Sequence, residues 1–351
     1  MKSTFDIAGR TIGGGNACFV IAEAGVNHNG DVSLAERLID AAADAKADAI
    51  KFQTFVPSQL ASPSAGTADY QKRTQSGDQQ LQMLERLVLP QGAYAPLQER
   101  ATKRGLVFLS TAFDAESADF LFDLGVPAFK VSSADLTHSL LLRHLARKRR
   151  PIILSTGMAS LAEVQSAIAT IVDASSPAAE IAVLQCVSNY PAEIADSNLR
   201  AIPMMADALR RPIGFSDHTT GERAAVAAVA LGAAIIEKHL TLDRSLPGPD
   251  HQASLDPQQF RSFVTAIREA SSALGSGEKV PADSERDMAK LGRRSLFWHR
   301  RLDRGAVVTE ADLIALRPGT GLAANRWPEI VGRIVKRQVR EGEAVASDDV
   351  E

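Results

Sequence analysis

Short runs of apolar, often β-branched residues recur along the first 280 residues, and longer segments of helical period separate them. The apolar runs fall at 19–22, 49–52, 106–109, 128–131, 152–154, 181–184, 213–215 and 234–237. Helical stretches such as 33–45, 115–124, 161–172 and 222–231 lie between them, and one at 257–274 follows the last. Eight strands, each followed by a helix, is the count of a closed (β/α)₈ TIM barrel. A doubly wound sheet would put a glycine-rich turn after its first strand. The segment there, AEAGVNHNG, carries an acid and a histidine where glycines would cradle a pyrophosphate.

Residues 5–15 read as a hairpin turning at Ala8-Gly9, expected to plug the barrel floor. The barrel domain is thus read as 1–280, with a polar, Gly/Pro-bearing linker at 281–292. The remainder, 293–351, changes character. Gly305 to Leu313 matches Gly342 to Val350, with Gly, Val, Asp and an aliphatic residue in register. Thr309 and Ser347 stand where N-caps are expected. This part reads as a small, mainly β domain with pseudo-twofold symmetry.

Composition narrows the partners. Of 351 residues, 39 are basic and 42 acidic, for a net charge of −3. No broad electropositive field follows, which argues against nucleic-acid or anionic-membrane partners. The start, MKSTFDIAGR, lacks the layout of a signal peptide, and the longest apolar run, 224–234, is too short to span a bilayer. The cysteines, Cys18 and Cys186, both fall in strand-like runs, which fits a reducing compartment. A soluble, cytoplasmic protein is expected.

The strand ends carry the chemistry. Every one is polar: Glu23 and Asn27-His28, Lys51 and Gln53, Ser110-Thr111, Lys130 and Ser132-Ser133, Ser155-Thr156, Ser188-Asn189-Tyr190, Ser216-Asp217-His218, and Glu237-Lys238-His239. Catalytic groups of such barrels come from these ends. His218 and His239 lie one barrel unit apart and should meet at the mouth. Two imidazoles suit Mn²⁺, Zn²⁺, Fe²⁺ or Co²⁺; the bland alternative is a helix cap or a hydrogen bond to substrate. Lys51 and Lys130 suit a phosphorylated or carboxylated anion, a Schiff base, or stems snorkelling from the rim. Glu23 suits a general acid or base, or a structural carboxylate holding a barrel lysine.

The segments IAEAGVNHNGD, AIKFQTF, FLSTAFD, FKVSSADL, ILSTGMAS, LQCVSNYPA, GFSDHT, ALGAAIIEKHLTLDR and PGPDH together resemble the sialic acid synthase family, and RPGTG at 317–321 resembles its C-terminal antifreeze-like (SAF) domain. The resemblance spans nearly the whole chain, in order. It implies condensation of phosphoenolpyruvate with an N-acetylated amino sugar, with release of phosphate. The implied cofactor is a divalent metal, Mn²⁺ first, with Mg²⁺ or Co²⁺ as alternatives.

Carried over by position, His218 and His239 would hold the metal and Glu23 would be the acid/base. Lys51, Thr111, Lys130, Ser133, Ser155 and Ser216 would hold phosphoenolpyruvate. Gln53, Tyr190 and Asp250 match positions at or around the sugar, and Arg317 matches the SAF-domain arginine that reaches its acyl group. A domain-swapped homodimer is implied.

Some bacterial neuraminate synthases have an asparagine in a TNIYP-type motif where this chain has Ser188. The VSNYP form also occurs among enzymes that make legionaminate. N-acetylmannosamine to N-acetylneuraminate is the first expectation. The alternative is N,N'-diacetyllegionaminate from 2,4-diacetamido-2,4,6-trideoxymannose. A barrel making a 3-deoxy-sugar acid and a non-catalytic carbohydrate-binding protein are the further readings.

Overall fold

Eight parallel strands close into a barrel in a computed structural model that describes residues 4–62, 65 and 80–351. They are β3 (Phe19–Gly25), β4 (Ala49–Thr54), β5 (Val107–Ala112), β6 (Phe129–Val131), β7 (Ile152–Ser155), β8 (Ile181–Cys186), β9 (Ile213–Asp217) and β10 (Ile235–His239). Neighbours follow chain order, and β10 pairs with β3 to close the ring. Each expected apolar run became one strand.

The period of two assigns each strand a face. Val20, Ile50, Phe52, Phe108, Val131, Leu154 and Ile236 point outward and are buried against the helices. Ile21, Ala49, Leu109, Ala128, Ile153, Leu184 and Ile235 point inward and fill the lower barrel. Helix starts follow the expected chemistry. Asp31 caps Val32–Asp44, and capping boxes at Ser160–Glu163 and Asp256–Gln259 open Leu161–Ala174 and Pro257–Ala273.

The N-terminal segment pairs β1 (Thr4–Ile7) with β2 (Arg10–Gly13). Ala8 and Gly9 take φ of 53° and 78°, the left-handed pair of a two-residue hairpin turn. Phe5, Ile7 and Ile12 bury themselves in the inward-facing barrel cluster, so the hairpin stoppers the floor.

The chain divides into two units, 1–275 and 276–351. The stretch 281–292, expected as linker, holds a 3₁₀ turn (Asp283–Glu285) and a helix (Arg286–Gly292) in the second unit. That unit packs Leu296, Trp298, Val308, Ile330, Val335, Val339 and Val345 into its own core. Its β11 (Ser295–Trp298) and β12 (Leu313–Leu316) are antiparallel.

The repeat is a structural symmetry. Leu302 and Val339 exchange backbone hydrogen bonds with each other. Gly305 N–H donates to Val335, and in the equivalent place Gly342 N–H donates to Trp298. One cap differs from expectation. Thr309 caps its turn, but the equivalent position is Ala346, not Ser347. There Asp349 accepts from the Ala346 N–H at 2.9 Å, as Asp312 accepts from Thr309 N–H at 2.7 Å. Among the described residues no helix is long and apolar enough to cross a membrane.

Candidate active site

At the C-terminal end of the barrel the inward positions turn from apolar to polar. Glu23, Lys51, Gln53, Thr111, Lys130, Ser155, Ser216 and His239 line one cavity of about 350 Å³. The following loops add Ser133, Ser188, Tyr190, His218 and Asp250. The remaining expected site residue, Arg317, belongs to the second unit. It sits exposed in the second unit, where its Nε donates to the Gly292 carbonyl at 3.1 Å.

Four buried charges form the centre. Lys51 Nζ is 2.7 Å from Glu23 and 3.7 Å from Glu237, and donates to Thr111 Oγ1 at 2.9 Å. Lys130 Nζ is 3.6 Å from Glu237 and donates to Ser155 Oγ at 2.8 Å. Glu237 therefore bridges the two lysines and also accepts from Ser216 Oγ at 2.9 Å.

The two carboxyls diverge in acidity. Burial pushes Glu23 up to about 7, with Lys51 opposing and Glu237 reinforcing. For Glu237, burial is outweighed by Lys130, Lys51 and the Ser216 hydroxyl, which bring it down to about 2. Burial also opposes the charge on Lys51, but Glu23 and Glu237 outweigh it, and this lysine stays an ammonium. Burial wins at Lys130 and lowers it, with Glu237 opposing.

The backbone adapts at the first strand. A β-bulge falls between Glu23 and Gly25, opposite β4. Gly25 has φ of 53°, and a Cβ there would meet Gln53 Nε2 at 3.2 Å and Glu23 Oε1 at 3.3 Å. Glycine lets Gln53 approach and donate to Glu23 at 3.2 Å.

The histidines do meet, with ring centroids 5.6 Å apart. Tyr190 lies over His218 at 4.0 Å and edge-on to His239 at 5.6 Å. His218 Nδ1 donates to the Val187 carbonyl at 2.7 Å, and its Nε2 lies 3.5 Å from Ser216 Oγ. His239 Nδ1 is buried with no hydrogen-bond partner among the described residues, and Asp250 Oδ2 lies 3.9 Å away. Burial, then His218, holds the His239 imidazole well below its ordinary range, hence neutral. The orphaned, buried His239 nitrogen beside the His218 ring fits a metal held by two imidazoles. Among the described residues no cluster of three or more His, Cys, Asp or Glu is arranged to hold one, so other ligands would come from substrate or water.

Strand register brought in two residues given no role above. Glu237 sits beside Ser216 across β9 and β10, and Cys186 Sγ lies 3.8 Å from His218 Nδ1. Their signal was parity, since Glu237 alternates with Ile235 and His239. The same parity removes Asp217 and Lys238. They form an outward-facing pair at 2.9 Å, buried beneath the helices, with the Lys238 ammonium 5.6 Å from the centre of the Phe263 ring.

With this geometry in place, comparison decides the family. The NeuB family matches residues 38–279, and the SAF domain matches 293–351. This chain belongs to the NeuB family. It is 44% identical to the N,N'-diacetyllegionaminic acid synthase of Legionella pneumophila, over 97% of this chain and 96% of that one. It is 41% identical to the enzyme of the same name from Campylobacter jejuni, over 93% and 98%. A solved N-acetylneuraminic acid synthetase from Leptospira borgpetersenii superposes with a TM-score of 0.71 at 36% identity, covering 82% of this chain and 95% of that chain. NeuB proteins of these names are nonulosonic acid synthases, and this chain is an enzyme of that family.

Proposed function

We propose that the barrel condenses phosphoenolpyruvate with 2,4-diacetamido-2,4,6-trideoxymannose to give N,N'-diacetyllegionaminate and phosphate. The observation that carries the condensation is the buried Glu23–Lys51–Glu237–Lys130 cluster beside two paired imidazoles. The two lysines of such a cluster can contact the oxygens of a small anion, and Glu23 can move one proton. The relatives' names support the legionaminate product over N-acetylneuraminate, reversing the order expected from the motifs alone. Ser188 supports the same sugar. It lines the cavity and packs against Gly157, where a Cβ would fall 2.2 Å from its Oγ, and it leaves more room there than a longer asparagine would.

Lys51 and Lys130, with Thr111, Ser133, Ser155 and Ser216, hold the phosphate and carboxylate of phosphoenolpyruvate. Carbon 3 of phosphoenolpyruvate then bonds to the sugar aldehyde carbon, the C=O electron pair moves to oxygen, and that oxygen takes the Glu23 proton to become a hydroxyl. A divalent metal on His218 and His239, Mn²⁺ first, supplies Lewis-acid polarisation of the aldehyde oxygen when bound. Carbon 2 of the former enol becomes electron-poor and takes up water. Glu23, pushed up to about 7, is poised near neutrality to accept that water's proton. The tetrahedral species expels phosphate, whose charge the lysines already face. Gln53, Tyr190 and Asp250 orient the sugar from the rim.

The test is phosphate release from phosphoenolpyruvate with a panel of sugars and Mn²⁺. At least tenfold higher kcat/KM is expected for the diacetamido sugar than for N-acetylmannosamine. Preference for N-acetylmannosamine overturns the sugar assignment, and no release with any sugar overturns the condensation. Chelation should abolish release and Mn²⁺ restore it; full activity after verified metal removal rejects the metal.

A further inference from the structure

The loop NHNG at 27–30, which follows β3, takes no part in the reaction above, yet both of its asparagine side chains are tied to the loop after β10. Asn27 is buried, and its Nδ2 donates to the Leu240 carbonyl and to Ser254 Oγ, each at 2.9 Å. Ser254 Oγ in turn donates to the Asp250 carbonyl at 2.7 Å. Asn29 Nδ2 donates to the Pro247 carbonyl at 2.8 Å, which turns its Oδ1 toward His251 Nε2 at 3.2 Å. His251 Nε2 is therefore the protonated nitrogen, and Nδ1 accepts from Thr241 Oγ1 at 2.7 Å. His251 is fully buried.

All these bonds converge on the segment that carries Asp250 into the cavity. They join the first barrel strand's loop to the last strand's loop, across more than 200 residues of sequence. Packing reinforces them. A Cβ on Gly248 would meet His251 Cδ2 at 2.6 Å and Asn29 Oδ1 at 2.9 Å, so the loop lies against this pair as closely as glycine allows.

We propose that Asn27, Asn29 and His251 are positioning residues that clamp the 247–254 loop and hold the Asp250 carboxylate 3.9 Å from His239 Nδ1, thereby setting affinity for the amino sugar. The sugar half of this statement rests on the reading under Proposed function; the clamp itself does not. A carboxylate on a free loop would sample many positions, and each one lost to misplacement weakens the polar contacts that fix a ligand.

Asn29→Gly is the diagnostic variant. Asn29 has φ of 52°, which glycine adopts without strain, so the substitution deletes both side-chain bonds and keeps the backbone. Only part of what the two lost hydrogen bonds contribute to the loop reaches the sugar, so an effect of about tenfold is expected. KM for the amino sugar should rise about tenfold while KM for phosphoenolpyruvate stays within twofold. In an Asp250→Ala background the same substitution should add little, because its effect runs through Asp250. A full additive effect there, or equal rises in both KM values, overturns the proposal.

Amide hydrogen exchange on the substrate-free protein decides the clamp without any turnover. Peptides over 246–254 should exchange about tenfold faster in Asn29→Gly, with the barrel strands unchanged. Unaltered exchange in that loop overturns the clamp. If the parent enzyme turns over no amino sugar, the function assigned above fails, and the exchange result still stands.

Discussion

Glu23 and Glu237 are the same side chain in one buried cluster, and their neighbours give them opposite duties. Glu237 faces two ammonium groups and a hydroxyl, whereas Glu23 faces one ammonium and a second carboxylate. The pH dependence of stability should separate them. Glu23, raised from 4.5 to about 7, contributes stability that is present below pH 4.5 and lost as pH rises through 7. Glu237, lowered from 4.5 to about 2, contributes stability that is present above pH 4.5 and lost as pH falls toward 2. Glu237→Gln should therefore cost about 3–5 kcal/mol at pH 7, since it leaves two buried lysines short of a counter-charge. That deficit should shrink below pH 4.5. Glu23→Gln should gain on the parent as pH rises from 4.5 to 8. Urea denaturation across pH 2–8 checks both, and parallel curves for the two variants would refute the assignment.

At the scale of the strand, one residue of displacement separates chemistry from architecture. Lys238 follows Glu237 on β10 but points at the helices, where its Nζ donates to Asp217 and to the Thr219 carbonyl. Asp217 is further used, accepting from the Thr219 N–H at 2.9 Å. Lys238→Met should lower stability by about 3–5 kcal/mol, because it strands a buried carboxylate. KM for both substrates should stay within twofold of the parent. A stable Lys238→Met protein with altered KM would mean that its side chain reaches the cavity.

At the scale of the whole molecule, Arg317 is the one expected site residue that belongs to the second unit. Arg317 lies exposed beside Pro318 and Gly319, a loop that can approach a ligand. We propose that it closes the barrel of a second subunit in a homodimer, and shields the condensation from water. Co-refolding Glu23→Ala with Arg317→Ala discriminates. Across-subunit closure leaves one intact site in each mixed dimer, so random pairing should recover about a quarter of parent activity. Closure within each chain recovers only the residual activities of the separate variants.

The linear chain determined the eight-strand count, because apolar runs of strand length recur between helical periods, and it determined the floor hairpin through Ala8-Gly9. It also marked polar strand ends, and Glu23, Lys51, Thr111, Lys130, Ser155, Ser216 and His239 line one cavity because strand ends converge once a barrel closes. Glu237 was legible only as one more polar strand end. Its bridge between Lys51 and Lys130 depends on β10 returning beside β3, a contact between the two ends of the barrel sequence. Ser347 failed as a cap for a similar reason: the symmetry of the second unit aligns Ala346 with Thr309, and the Asp349 carboxylate caps the turn from the other end. Spacing along a chain tells which residues share a face, but only closure of the ring decides which of them touch.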